Sequence, residues 1–385
     1  MKDWKGIAVA VGAVLVSVCF LTVNSASAKS KPYKIGAIFD ISGPASALGI
    51  PEKRTVEMVV EKVNKDGGIN GRPLELVFYD TALDVQKTIN SVNKLIKKDK
   101  VLAIIGPSTS GVSMALIETM QNNEMPNISC AARIDIIDPP KKWVFKTPQT
   151  DKQAVEKILT YAKKQGIKKV SLMIAEGGFG AGGLKQLNNL APKYGIKIVA
   201  REKFSEKDPD VSTQLTKIRG TDAQAMIVWD TDKGSARVAR NMRQLGMKMP
   251  VYMSHGIANM KFIDQAKEAA EGVIFPAGRL VVWEYLPESD PQKKILAKYA
   301  ADFKAKYNTT PDTFGGHAWD AVQLIIRAIE KAGDDIGRIR DEIENTRNFV
   351  GIGGVFNYSK KDHLGLGPES LIMVKIVNGK WTYIE

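Results

Sequence analysis

Apolar residues along this chain follow two spacings that take turns. Short strands are read at 34–39 and 74–79, and 101–105 is an unbroken apolar run without the alternation of a half-wet strand. Such a run predicts a strand covered on both faces, as in a parallel sheet. Between them the spacing widens to i, i+3, i+4, i+7: Val56, Val59, Val60 and Val63 make one helical stripe, and Val85, Ile89, Val92 and Ile96 make another. Gly67-Gly68-Ile69-Asn70-Gly71 breaks the first of these helices with turn chemistry. Strands and helices alternating at short spacing predict an α/β fold with a doubly wound parallel sheet.

The series is laid down twice. Residues 143–148 are expected to form a strand that leaves the first sheet. A second run follows, with strands at 170–175, 196–200, 225–230, 251–254 and 272–275 and helices from Leu184 and Gly234. Two sheets in sequence predict two lobes. The tail from Pro291 is helical again, with Val322, Ile325, Ile326 and Ile329 on one face, and closes on a strand-like 371–377.

The most informative stretch is 101–133. The apolar run ends at Gly106-Pro107, and Ser108, Thr109 and Ser110 fall where a strand's carboxyl end gives way to a helix. Their hydroxyls and the free N–H groups there suit an anion. A short strand, Asn127–Ser129, delivers Ala131, Ala132 and Arg133 to the same sheet edge, where ligands of open α/β sheets bind.

Composition changes this picture at three points. The first is the start of the chain: two lysines and an aspartate precede an apolar 7–23, and Ala26-Ser27-Ala28 follows. This predicts a cleavable signal peptide over residues 1–28 and export, without lipidation because Val18 precedes Cys19 where a small residue is needed. Removal of the leader leaves Cys130 as the single cysteine, so no internal disulfide is expected. The second is charge: the net +13 is scattered in pairs such as Lys97-Lys98 and Lys163-Lys164, which predicts solvated helix faces and no nucleic-acid partner. The third is the lack of catalytic or metal-ligand spacing. His255, His317 and His363 stand far apart, and Ser108 and Ser110 lack a nucleophile elbow, so the chain reads as non-enzymatic, with no cofactor or metal. His317, after Gly315-Gly316 at a helix start, reads as a structural hydrogen-bonder.

An exported two-lobed chain carrying Ser42-Gly43-Pro44, Gly67-Gly68-Ile69-Asn70-Gly71-Arg72-Pro73, Val77-Phe78-Tyr79-Asp80, Ile105-Gly106-Pro107-Ser108, Gly316-His317-Ala318 and Phe349-Val350-Gly351 in that order resembles a known family. These are the periplasmic solute-binding proteins of ABC importers, in their leucine/isoleucine/valine-binding branch. The resemblance covers essentially the whole mature chain. It implies a type I periplasmic-binding (Venus flytrap) fold, two lobes joined by three hinge crossings. Lobe 1 would hold residues 29–147 and 277–355, and lobe 2 residues 148–276 and 356–385. It also implies a periplasmic monomer that closes over its ligand and hands it to permease subunits with their ATPase.

Ligand-contact positions carry over from that resemblance. Ser110 matches a serine whose hydroxyl holds the ligand carboxylate, with a plain helix cap as the alternative. Ala131, next to Ala132, matches a main-chain contact. Arg133 falls where amino-acid binders keep a threonine, and either grips a carboxylate or lies on the rim in solvent. Phe179 stands in place of a stacking tyrosine. Thr231, after Trp229 and Asp230, matches another aromatic contact position, Trp229 being equally suited to the core. His255 occupies the place of the acid that binds an α-ammonium. Without that fixed charge the ligand leans toward a small hydrophobic carboxylate, aliphatic or aromatic, unless Asp230 restores the charge.

Two other functions fit parts of the sequence. A ligand sensor docking on a signalling receptor would share the fold. Gly178-Phe179-Gly180-Ala181-Gly182-Gly183 satisfies G-x-G-x-x-G after a strand, with Glu202 on the next strand, which is the pattern of a dinucleotide-binding enzyme. The plain alternative is a glycine turn allowing close backbone approach.

Overall fold

The computed structural model describes residues 31–205 and 207–384; the expected leader with Cys19 lies outside them. The first lobe begins with β1 (Tyr33–Phe39), α1 (Ser46–Lys65), β2 (Leu74–Asp80), α2 (Val85–Lys94), β3 (Ile104–Ile105), α3 (Ser110–Asn122), β4 (Asn127–Ser129) and β5 (Val144–Lys146). These strands form a five-stranded parallel sheet in the order β2-β1-β3-β4-β5. Of the apolar run 101–105 only the last two residues are regular strand. The rest still borders β1, with the Leu102 N–H bonding the Lys34 carbonyl at 2.8 Å. Val144 pairs with Asn127, so β5 is the last strand of the first sheet and the chain leaves only after it, one step later than its sequence suggested.

The second lobe holds α4 (Asp151–Lys164), β6 (Lys169–Ala175), α5 (Gly178–Leu190), β7 (Lys197–Phe204), α6 (Ser212–Arg219), β8 (Ala225–Trp229), α7 (Asp232–Gln244), β9 (Val251–Met253), α8 (Met260–Ala266) and β10 (Ile274–Ala277). Its sheet is covered on both faces, and side chains alternate between two cores. Ala225, Ile227 and Trp229 of β8 face the core built with α4 and α5, whereas Met226 and Val228 face the core built with α7 and α8.

The chain then returns with α9 (Lys293–Tyr307), α10 (Thr313–Ala332), α11 (Ile336–Glu344) and the hairpin β11 (Phe349–Val350) and β12 (Val355–Phe356). The stripe Val322, Ile325, Ile326 and Ile329 of α10 is buried in the first lobe's core. Phe356, Tyr358, Leu364 and Leu366 belong to that core too. The last crossing therefore falls at 367–371 and not near Phe356. Beyond it β13 (Ile372–Val377) pairs antiparallel with β10, and β14 (Lys380–Tyr383) with β13.

Three crossings are tied to one another by side chains that seek main-chain carbonyls. Gln149 Nε2 donates to the Gly353 carbonyl at 2.7 Å and the Ser370 carbonyl at 3.3 Å. Arg279 donates to the Glu369 carbonyl at 2.7 Å and pairs with Asp290. Among the described residues no helix is long and apolar enough to cross a membrane.

Candidate functional site

A cleft of about 1010 Å³ lies between the lobes, at the carboxyl edges of both sheets. On the first lobe its wall is Pro44, Ala45, Leu48, Leu83 and Val85 at the mouth, then Ser108 to Val112, Cys130 and Ala132 deeper in. The second lobe contributes Gly177, Phe179, Asp230, Thr231, Lys233, Arg237, His255 and Gly256. Phe314 and His317 from α10 complete the floor.

Four helices, α1, α3, α5 and α7, begin on this cleft. Their N-cap residues Ala45, Thr109, Gly177 and Thr231 all line it, and none supplies a side-chain cap to its helix. Elsewhere five helices are capped, Asp84, Thr150, Asn259, Asp312 and Asp335 each accepting a first-turn N–H, while α6 and α9, whose N-caps Val211 and Gln292 do not line the cleft, are not. Open first turns present unsatisfied N–H groups and the positive ends of helix dipoles, which favour an anion in the cleft. Lys233 and Lys207 on the second lobe add to the same sign, against Glu176, Asp208 and Asp230.

The two serines of α3's entry loop have different jobs. The Ser108 hydroxyl donates to the buried Glu52 carboxyl and accepts the Asp40 N–H at 3.2 Å. Asp40 is itself held by the Thr81 hydroxyl and the Leu83 N–H. Ser108 thus knits β1, α1 and β3 together. Ser110 takes no part in that network and fronts the cleft on the first residue of α3.

Of the residues singled out by sequence, Ser110, Ala132, Phe179, Asp230, Thr231 and His255 meet in the cleft, and Ala131, Arg133 and Trp229 do not line it. The Ala131 N–H is taken by the Ser129 hydroxyl at 3.1 Å. Arg133 pairs with Asp135 at 2.8 Å, and Asp135 also receives Lys185 from α5 at 2.7 Å, a bridge from lobe to lobe. Trp229 is fully buried behind Phe179, their ring centroids 5.6 Å apart, while His255 lies 5.6 Å from the one and 5.9 Å from the other.

The glycine run is helix, not loop: α5 starts at Gly178, six residues before the apolar spacing begins at Leu184. Each glycine is a packing site. A Cβ on Gly180 would fall 1.8 Å from the Ala175 carbonyl, and one on Gly183 would fall 2.3 Å from the Trp229 ring. One on Gly178 would meet the Gly111 main chain of the other lobe. Close approach of helix to strand, ring and opposite lobe accounts for the motif. Glu202 is engaged by Lys217 at 3.0 Å on β7, outside the cleft, so the pattern of a ribose partner is not met.

The cleft residues that sequence reasoning missed are chiefly His317, Phe314 and Cys130. His317 was expected to be structural, and its main chain is: its carbonyl accepts the Thr147 hydroxyl at 2.9 Å. Its ring, however, faces the cavity. Beneath the floor, the fully buried Lys146 ammonium donates to the carbonyls of Ala132, Pro148 and Gln149 at 3.2, 2.6 and 3.4 Å. Burial pulls its pKa down, and Asp151 opposes that pull.

Two α/β lobes, triply crossed, with an anion-favouring cleft between the tips of their sheets, define a hinged binding protein. The periplasmic binding protein family profile matches residues 32–380, and the chain belongs to that family. It is 26% identical to a Leu/Ile/Val-binding protein homolog of Brucella melitensis, over 91% of this chain and 94% of that one. An extracellular ligand-binding receptor from Rhodopseudomonas palustris HaA2 superposes with a TM-score of 0.87 at 28% identity, covering 92% of this chain and all of that one. LivJ of Streptococcus pneumoniae, solved with isoleucine, superposes with a TM-score of 0.80 at 26% identity, covering 91% and 98%.

Proposed function

We propose that this chain is the extracytoplasmic solute-binding component of an ABC importer of the branched-chain amino acid branch. It closes by hinge motion over a small hydrophobic carboxylate or amino acid and presents the closed form to permease subunits. The observation that carries the anionic part of this reading is the set of four uncapped helix N-termini on one cleft, with Ser110 at the head of one of them. The hydrophobic part rests on Phe179, Phe314 and the Leu48, Leu83 and Val85 lip. Relatives named for leucine, isoleucine and valine support the class of ligand.

Closure follows from linkage: a ligand touching both lobes stabilises only the state in which both can reach it. The test is calorimetric titration of ligand-stripped protein with leucine and with benzoate, alongside small-angle scattering. Saturable heat with a smaller radius of gyration is expected for at least one of them. Scattering curves that never change with any small carboxylate would sink the proposal.

A further inference from the structure

His255 and His317 approach the cleft from opposite lobes. His255 opens the short turn His255–Ile257 after β9, and His317 rides on the second turn of α10. Both side chains belong to residues more than nine-tenths buried, at 8% and 6% exposure, and both line the cavity. By strict hydrogen-bond geometry neither ring nitrogen of His255, nor Nδ1 of His317, finds a partner in the protein, although the Gln149 main chain lies close to the His255 ring. The third histidine is different: His363 Nδ1 meets the Val144 carbonyl at 2.8 Å and Nε2 meets Glu344 at 3.1 Å. Buried polar atoms in native proteins are nearly always satisfied, so the orphaned nitrogens point to what fills the cleft as their partner.

Charge narrows the partner. Burial first, and the Lys146 ammonium second, push His255 down to about 3, against a small opposing effect of the Gln149 main chain. Burial, then His255 and Lys146, do the same to His317, also to about 3. At neutral pH each ring therefore has one N–H donor and one bare acceptor nitrogen. Neither is a charge. An ammonium brought to this spot would meet two neutral rings, with no carboxylate of the pair to offset its desolvation. Asp230 lines the same cleft: its main-chain carbonyl accepts the Ser254 hydroxyl and the residue has a further contact within the protein, while its Oδ2 has no hydrogen-bond partner, which makes it the competing recognition group for an ammonium.

We propose that His255 and His317 form a polar clamp, one ring from each lobe, that reads an uncharged hydrogen-bonding substituent beside the ligand carboxylate. The ligand class is then an α-hydroxy or α-keto acid with an apolar body, and the α-amino acid of the same skeleton is discriminated against. This deepens the carboxylate-binding reading above and rests on it. A hydroxyl donates and accepts, so it can satisfy one ring of each kind, and a keto oxygen can accept from either N–H. Because the rings come from different lobes, the contact is completed only on closure, which couples recognition to the hinge.

The test uses two skeletons, each in four forms: leucine, 2-hydroxy-4-methylpentanoate, 4-methyl-2-oxopentanoate and 4-methylpentanoate, and the corresponding phenylalanine, phenyllactate, phenylpyruvate and phenylpropanoate. Ligand-stripped mature protein is titrated with each and followed by scattering. Within a skeleton that binds, the hydroxy or keto acid is expected to bind at least about tenfold tighter than both the amino acid and the unsubstituted acid, as one buried hydrogen-bonding group can dictate. That preference is expected to collapse in His317→Leu and in His255→Phe, and His255→Glu is expected to move it toward the amino acid. Thermal melts report whether each variant is folded, and a rank order read on any one folded variant suffices. An amino acid that binds tightest to the wild type and compacts it overturns the clamp, with Asp230 then supplying the charge, while leaving the carboxylate reading intact. A hydroxy or keto preference that survives both histidine replacements also overturns it. Failure of all eight compounds to bind or compact the protein overturns the clamp together with the reading beneath it.

Discussion

Gly178 at the head of α5 lies against Gly111 at the head of α3, so close that a Cβ on Gly178 would stand 2.5 Å from the Gly111 nitrogen. The two residues belong to different lobes, and their contact exists only while the lobes are together. The φ of Gly178 is not in the left-handed region, so alanine costs the separated lobes nothing. Gly178→Ala is expected to keep the melting temperature, to weaken ligand binding by roughly tenfold or more, and to leave the liganded protein more extended in scattering. Gly111→Ala is the matched control: its Cβ would meet Gly178 at an ordinary 3.8 Å, and its affinity should stay near that of the wild type.

The bridge between Asp135 and Lys185 also spans the lobes, but Lys185 is half exposed. Exposed pairs are weak and screened by salt. Asp135→Asn should reduce affinity by only about two- to fivefold at low ionic strength. The difference should vanish in concentrated salt, and calorimetry at two salt levels checks both statements.

Ser110 and Ser108 separate function from structure at neighbouring positions. Ser110→Ala removes a hydroxyl that fronts the cleft without touching the buried network, and should weaken carboxylate binding by roughly ten- to a hundredfold with an unchanged melt, the range for a hydrogen bond to a charged group. Ser108→Ala strips a partner from both Glu52 and the Asp40 N–H, and should lower the melting temperature.

Asp320 provides a pH signature. Its oxygens accept the N–H groups of Ile352 at 2.6 Å and Gly353 at 2.7 Å, yet burial outweighs these bonds and raises its pKa to about 8. Between the ordinary value near 3.8 and 8 the folded state binds the proton that the unfolded state has lost, so rising pH lowers stability across that window. Asp320→Asn has no such proton. Its melting temperature relative to wild type should climb as pH goes from 4 to 8 and level off beyond, measured by thermal scans at several pH values.

Much of this arrangement was legible in the residues. Short apolar stretches located β1, β6 and β8, which are largely buried. Ser110 could be placed at the cleft because it follows a strand's carboxyl end, and His255 through the family resemblance. What stayed hidden has physical causes. The start of α5 was invisible because glycine is a poor helix former, and its use here depends on Ala175, Trp229 and Gly111, none of them adjacent in sequence. The short α6 was missed between polar residues. Arg133 read equally as a ligand grip or a rim residue, and Asp135 two residues on was a local hint of its partner. His317 could be assigned to the cleft only once α10 was known to return to the first lobe, a link across 170 residues to Thr147.

That return has a further consequence. The first core joins residues from β1 to β5 with others from Ala318 to Leu366, and the second needs Ile372, Val374 and Ile376 beside Phe275. A polypeptide delivered amino end first holds neither core complete until nearly its whole length is available. Truncation at residue 366 strips β10 of its antiparallel neighbour and bares Phe275, so completion of both cores waits for the end of the chain.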